Sequence, residues 1–166
     1  MNISLEDIVR IALIGAGATA TMDLWLLLLR RLGVPTLDFA MIGRWVGHWP
    51  RGVFAHDAIG KAKAVRGERA LGWLLHYATG LAFAALLIAV GGIEWLRSPT
   101  LMPALAVGVA TVAAPWLLMQ PAMGAGIAAS RTPSPTKNRL RSVANHAVFG
   151  LGLYLAALLL LAWISR

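Results

Sequence analysis

Cysteine is absent from the chain, which excludes disulfides, thiolate metal sites and cysteine-held iron–sulfur clusters. Charge is scarce as well: charged residues make up 13% of the 166, with seven acidic side chains against fifteen basic ones. A soluble domain carries about 25% charged residues, so an ordinary water-solvated surface is excluded. Also missing are a nucleophile elbow, a phosphate loop and a zinc-protease motif. In their place are apolar residues, 58% of the chain, gathered into runs that approach the ~20 residues needed to cross a bilayer. These proportions predict an all-α, polytopic integral membrane protein of one domain, built as a bundle of four transmembrane helices.

The four expected spans cover about 8–29, 71–93, 101–122 and 143–164, leaving loops at 30–70 and 123–142. The first follows Glu6 and Asp7 and ends at Arg30 and Arg31, an order opposite to that of a secretory signal, which is basic in front and shorter. The second is about 34 Å long as a helix and crosses with little to spare. The third holds Pro103, Pro115 and Pro121. Prolines inside a span free backbone carbonyls that need partners, and Thr111 and Gln120 are the side chains available. Pro133 and Pro135 read as an extended connection before the fourth span.

The net charge of +8 suggests nucleic acid in a soluble protein, but here the cations sit between apolar runs, where membrane orientation explains them. No nucleic-acid partner is expected. Loops 30–70 and 123–142 hold twelve of the fifteen Lys and Arg residues, leaving Arg10, Arg97 and Arg166 for the opposite side. By the positive-inside rule both loops are cytoplasmic and both termini periplasmic, in a bacterial inner membrane.

Polar residues inside the spans are the costly ones. Gly15, Thr19 and Asp23 recur at steps of four on one helix face, and a carboxylate at that depth costs on the order of 2.5–3.5 kcal/mol unless it is paired or hydrated. Counted from the nearest cytoplasmic cation at 1.5 Å per residue, Asp23, His76 and His146 lie at about 10, 10 and 8 Å. Gln120 and Asn145 fall at a similar level. Asp23, His76, Gln120, Asn145 and His146 are therefore the candidates for a ligand- or proton-binding cluster in the cytoplasmic half of the membrane.

In the first loop Leu37, Met41, Trp45 and Trp49 recur every fourth residue, the pattern of an amphipathic helix lying on the membrane surface. A second short helix is expected over about 54–66. Trp45, His48, Trp49, His56 and Asp57 are the candidates for a lid or interface: the tryptophans as interface anchors, the others as headgroup-level polar groups or a cover over a site. No metal site is predicted, because the eight-residue separation of His48 and His56 matches no compact ligand motif.

His-x-x-x-Gly-Leu occurs twice, at His76–Gly80 and at His146–Gly150, each in an apolar run. Gly17 to Trp25 and Gly108 to Trp116 share a spacing in the preceding spans, so the chain reads as a tandem repeat of two helical hairpins. The stretches GAGATATMDLW, GRWVGHWPRG, ERALGWLLHYATG, PTLMPALAVG, PWLLMQPAMGAGIAAS and HAVFGLGLYL together resemble the bacterial integral membrane proteins of domain of unknown function 2938. The resemblance implies a multispan membrane architecture and carries no activity with it.

Three readings of function follow. The first is an accessory or structural membrane protein whose polar residues hold its helices together, with the bilayer and a membrane-protein partner or a second copy as its contacts. The second is a small oligomeric transporter of protons or a polar solute, using Asp23 with His76 or His146. The third is a membrane enzyme or haem protein in which His76 and His146 act as acid and base or as axial ligands, with Gly80 and Gly150 leaving room. The residues favour the first, and no cofactor is predicted, haem remaining the alternative.

Overall fold

The computed structural model describes residues 3–165; Arg166, counted above among the cations of the periplasmic side, lies outside the described residues. All regular structure among the described residues is helical, in the order α1 (Leu5–Arg31), α2 (Phe39–Gly47), α3 (Glu68–Gly91), α4 (Leu101–Ala110), α5 (Gln120–Ala122) and α6 (Pro135–Ile164), with short 3-10 turns between them. Four segments are long and apolar enough to cross a membrane: α1, α3, the stretch Leu101–Ala122 and α6.

Local chemistry sets the helix ends. Ser4 caps α1 by accepting from Asp7 N–H at 3.1 Å while its own N–H donates to Asp7 Oδ2 at 3.0 Å. Glu6 and Asp7 in the first turn, with Arg30 and Arg31 in the last, also complement the helix dipole. α6 starts at Pro135, well ahead of the expected residue 143. Proline suits the first helical position, where its missing N–H costs nothing, so Lys137, Arg139 and Arg141 ride on helix and not on an extended connection. The third span is interrupted: Pro115–Met119 forms a π-turn, and Gln120 N–H reaches back to Pro115 O. Thr111 Oγ1 donates to Gly108 O at 2.6 Å, which satisfies a carbonyl in the last turn of α4.

Two differences lie in the first loop. α2 buries Phe39, Ala40 and Gly43, while Leu37 and Trp49 of the fourfold stripe are exposed. The expected helix over 54–66 is reduced to a 3-10 turn at Ile59–Lys61. Its backbone donors go elsewhere: His56 N–H donates to Ala122 O at 2.8 Å and Ile59 N–H to Met123 O at 3.1 Å. These carbonyls end α5 and have no helical donor ahead of them, so the two segments satisfy each other.

The chain divides into two compact units. The first comprises Met1–Val34, Tyr77–Thr111 and Ala144–Arg166. Its core contains Ile14, Ala18, Leu87, Ile88, Trp95, Phe149 and Leu153. Helices approach there through small residues. A Cβ placed on Gly80 would lie 2.0 Å from Thr19 Oγ1, one on Gly17 2.9 Å from Ala156 Cβ, and one on Gly108 2.5 Å from Gly150 Cα. The two glycines of the His-x-x-x-Gly echo are thus both points of closest helix approach, Gly80 against α1 and Gly150 against α4.

The second unit comprises Pro35–His76 and Val112–Val143. Here α2 crosses the start of α3 glycine against glycine: a Cβ on Gly43 would meet Glu68 O at 1.8 Å, and one on Gly72 would meet Phe39 O at 1.9 Å. Further along, Ala128 and Ala129 both hold positive φ, 48° and 60°, at a cost of roughly 1–2 kcal/mol each.

Gly72→Ala should lower the unfolding midpoint of the detergent-solubilised protein, by about 1–3 kcal/mol of stability. Gly60→Ala, which meets nothing within 4 Å, should leave it unchanged. Equal midpoints for the two variants would remove the glycine crossing as a stability determinant.

Candidate functional site

The second unit gathers the polar residues of the first loop. His48 ends α2 as its C-cap, and the 3-10 turn Trp49–Arg51 closes at Gly52, whose φ of +75° reverses the chain. The reversal, together with the bond from His56 N–H to Ala122 O, brings His56 back against His48. Their rings meet through His48 Nδ1 and His56 Nε2 at 2.8 Å. His48 is buried at 7% exposure, and on the far side of His56 the Nδ1 atom is buried with no partner among the described residues.

One turn before His48, Arg44 grips Glu68 with two parallel bonds, Nε to Oε2 at 2.8 Å and Nη2 to Oε1 at 2.7 Å. Arg44 Nη1 adds Ala62 O at 3.3 Å, and Glu68 Oε2 also accepts from Val65 N–H at 2.9 Å. Both side chains are mostly buried, 12% and 18% exposed. The hydrogen bonds to Glu68, reinforced by its charge, hold the Arg44 guanidinium above its ordinary range. Arg44 and Glu68 thereby fasten α2 to the start of α3 beside the glycine crossing.

Around this pair the aromatic candidates form a small outer cluster. Trp45 Nε1 donates to Phe54 O at 2.7 Å, and Trp45 and Trp49 meet edge to face at 5.2 Å between centroids. Asp57 is exposed, and its carbonyl packs on Gly124, where a Cβ would lie 2.0 Å away. His76 stacks on Phe39 at 4.1 Å and 24° and meets Trp73 edge on at 5.8 Å. Gln120 Oε1 is buried and unpartnered among the described residues, as is Trp116 Nε1 one turn earlier. The π-turn is therefore closed by its backbone and not by the Gln120 carbonyl.

The remaining candidates lie in the first unit, each in its own interhelix bond. Asp23 Oδ2 accepts from Tyr77 Oη at 3.0 Å, joining α1 to α3. Asn145 Oδ1 accepts from Trp25 Nε1 at 3.0 Å, joining α6 to α1. His146 Nδ1 lies 3.0 Å from Thr111 Oγ1 and 3.2 Å from Gly108 O. The carbonyl can only accept, and the Thr111 proton is already given to it, so Nδ1 carries the imidazole hydrogen.

Glu68, Tyr77, Trp25 and Trp116 were not among the candidates. The equal depth of Asp23 and residue 76 pointed to the right level of α3, and Tyr77 is the next residue. Glu68 had a weaker signal, an acid one turn ahead of Gly72 with arginine spare in the amphipathic helix. Trp25 and Trp116 carried a signal in the shared spacing from Gly17 and from Gly108.

These observations define an all-helical protein with four helices able to cross a membrane and a buried imidazole and ion-pair network in its second unit. The chain belongs to the family described as Protein of unknown function (DUF2938), whose model matches residues 12–160. No curated protein and no solved structure matches it.

Two measurements probe the network. Burial, and then the neighbouring His48, hold His56 below the ordinary imidazole value, so the unfolded chain, which takes up a proton near pH ~6.5, binds it more readily than the folded chain. Stability should be level above that pH and fall as pH drops from about 7 to 5.5, and His56→Gln should flatten that part of the thermal-unfolding profile. Arg44→Met leaves a buried carboxylate unpaired and should cost about 3 kcal/mol, most of it recovered in Arg44→Met/Glu68→Leu; additive losses in the double variant would contradict direct coupling.

Proposed function

We propose that this chain is an accessory or structural protein of the bacterial inner membrane, with both termini periplasmic and the loops 30–70 and 123–142 cytoplasmic. It works by holding a fixed helical frame that presents these basic loops to the membrane surface and to a membrane-protein partner or a second copy of itself. The observation that carries this reading is the use made of the intramembrane polar groups. Asp23, Asn145 and His146 each accept or donate across a pair of helices, the role of polar residues that act as interhelical clamps. The twelve loop cations supply the orientation.

A second reading is favoured by one specific feature. The buried atoms Gln120 Oε1 and Trp116 Nε1 are unpartnered among the described residues and sit on or next to a π-turn, a distortion frequent at functional sites. They would suit a polar solute in a small transporter.

Because the chain has no cysteine, single-cysteine variants need no prior engineering. Lys61→Cys and Lys137→Cys should resist a membrane-impermeant thiol reagent in intact cells and react after lysis; labelling from outside would reverse the topology. Asp23→Asn should lower the unfolding midpoint, and proteoliposomes of the native chain should show no proton or solute flux. A flux abolished by Asp23→Asn in a folded protein would displace the structural reading in favour of transport.

A further inference from the structure

The connection between α5 and α6 has features that the helical frame does not require. Ala128 and Ala129 stand in the left-handed region although both carry a Cβ. Backbone strain of this kind persists where the surroundings fix it, and it clusters at ligand clamps. The fixing contacts are specific. Arg131 N–H donates to Ala125 O at 2.9 Å, Thr132 Oγ1 to Ala129 O at 2.7 Å, Asn138 Nδ2 to Thr132 Oγ1 at 2.9 Å and Arg139 Nε to Ala128 O at 2.8 Å.

The loop so held borders a groove of about 280 Å³ lined by Pro121, Gly126, Ile127, Ser130 and Arg131. None of these five is acidic. Gly126 has φ +73°, and a Cβ there would lie 2.4 Å from Ser130 Oγ and 2.8 Å from Arg131 Cγ; glycine therefore lets the hydroxyl and the arginine stem close on the groove. Among the described residues the Arg131 guanidinium makes no hydrogen bond, and Arg139 uses only Nε, on the strained carbonyl. Ser130 and Arg131 on the groove, with Arg139 tied to the Ala128 carbonyl two residues before Ser130, supply hydroxyl and guanidinium donors suited to phosphate oxygens.

The surroundings indicate where the phosphate comes from. Ile127 on the groove is 61% exposed, and Leu140, between Arg139 and Arg141, is 67% exposed. Cations interleaved with exposed aliphatic side chains match a headgroup above acyl chains better than a soluble anion. We propose that the Gly126–Arg131 groove, with Arg139, binds the phosphate of an anionic phospholipid headgroup. The site deepens the function proposed above, since it rests on the loop facing the cytoplasmic leaflet and names what its cations meet there.

The test uses the full chain in detergent micelles, with bound lipid counted by native mass spectrometry and thermal unfolding followed in parallel. Phosphatidylglycerol should bind and raise the midpoint, and phosphatidylcholine should do neither. Arg131→Ala/Arg139→Ala should weaken phosphatidylglycerol binding by about 30-fold, the loss expected for two cations near an anionic headgroup, whereas Lys61→Ala/Lys63→Ala should leave it intact. Arg131→Gln alone, which keeps the Arg139 bond to Ala128, gives an intermediate loss and serves if the double variant does not fold. Unchanged binding in the arginine variants, or equal binding of phosphatidylcholine, overturns the site. Inorganic phosphate that raises the midpoint and displaces the lipid would assign the groove to a soluble anion and overturn the lipid assignment. None of these readouts depends on topology or flux, so the site and the structural reading can fail separately.

Discussion

Helices surrounded by lipid gain little from hiding apolar surface against one another, because the lipid is equally apolar. Close contact between backbones has to do that work, and in this chain glycine makes it possible. Gly15 and Gly80 admit the Thr19 hydroxyl between α1 and α3, Gly108 and Gly150 let α4 lie on α6, and Gly43 and Gly72 let α2 lie across the start of α3. Three of the polar contacts stand within a turn or two of these crossings. Tyr77 and Asp23 flank the first, Thr111 and His146 the second, and Arg44 and Glu68 the third. The polar groups can be short of water because the backbone approach has already set the distance at which they meet.

This order of dependence explains which features the sequence discloses. The four spans follow from run length and composition, and the face carrying Gly15, Thr19 and Asp23 follows from a spacing of four; the structure puts that face on α3. The doubled His-x-x-x-Gly is visible too, and its common element is the glycine, since His76 stacks on Phe39 while His146 bonds Thr111. What periodicity does not reveal is any partner distant in the chain. Residues 54–66 carry a helical pattern, yet their donors are taken by the carbonyls of Ala122 and Met123. The bond from Arg44 to Glu68 spans 24 residues, and the local pattern around Glu68 does not name its partner. The start of α6 differs from its sequence pattern for another reason: Pro135, a residue that breaks helix interiors, serves here as the first helical residue.

The two units divide the polar residues by type of use. In the first, hydrogen bonds from Tyr77, Trp25 and His146 join helix to helix. In the second, charged and titratable groups are concentrated: the Arg44–Glu68 pair is shielded, His48 is buried, and burial holds His56 below the ordinary imidazole value. Groups of that kind cost stability to bury and are informative for the same reason. The strained alanines belong to this second unit as well.

The backbone pairing of residues 56 and 59 with 122 and 123 also bears on how the protein is made. The N-terminal partner leaves the ribosome more than sixty residues before the C-terminal one. Until the third span is synthesised and inserted, the segment that carries His56 has no carbonyls to dock on. The loop between the first two spans therefore cannot mature when those spans enter the membrane. The two backbone bonds that anchor residues 56 and 59 can form only after residues 122 and 123 have been translated.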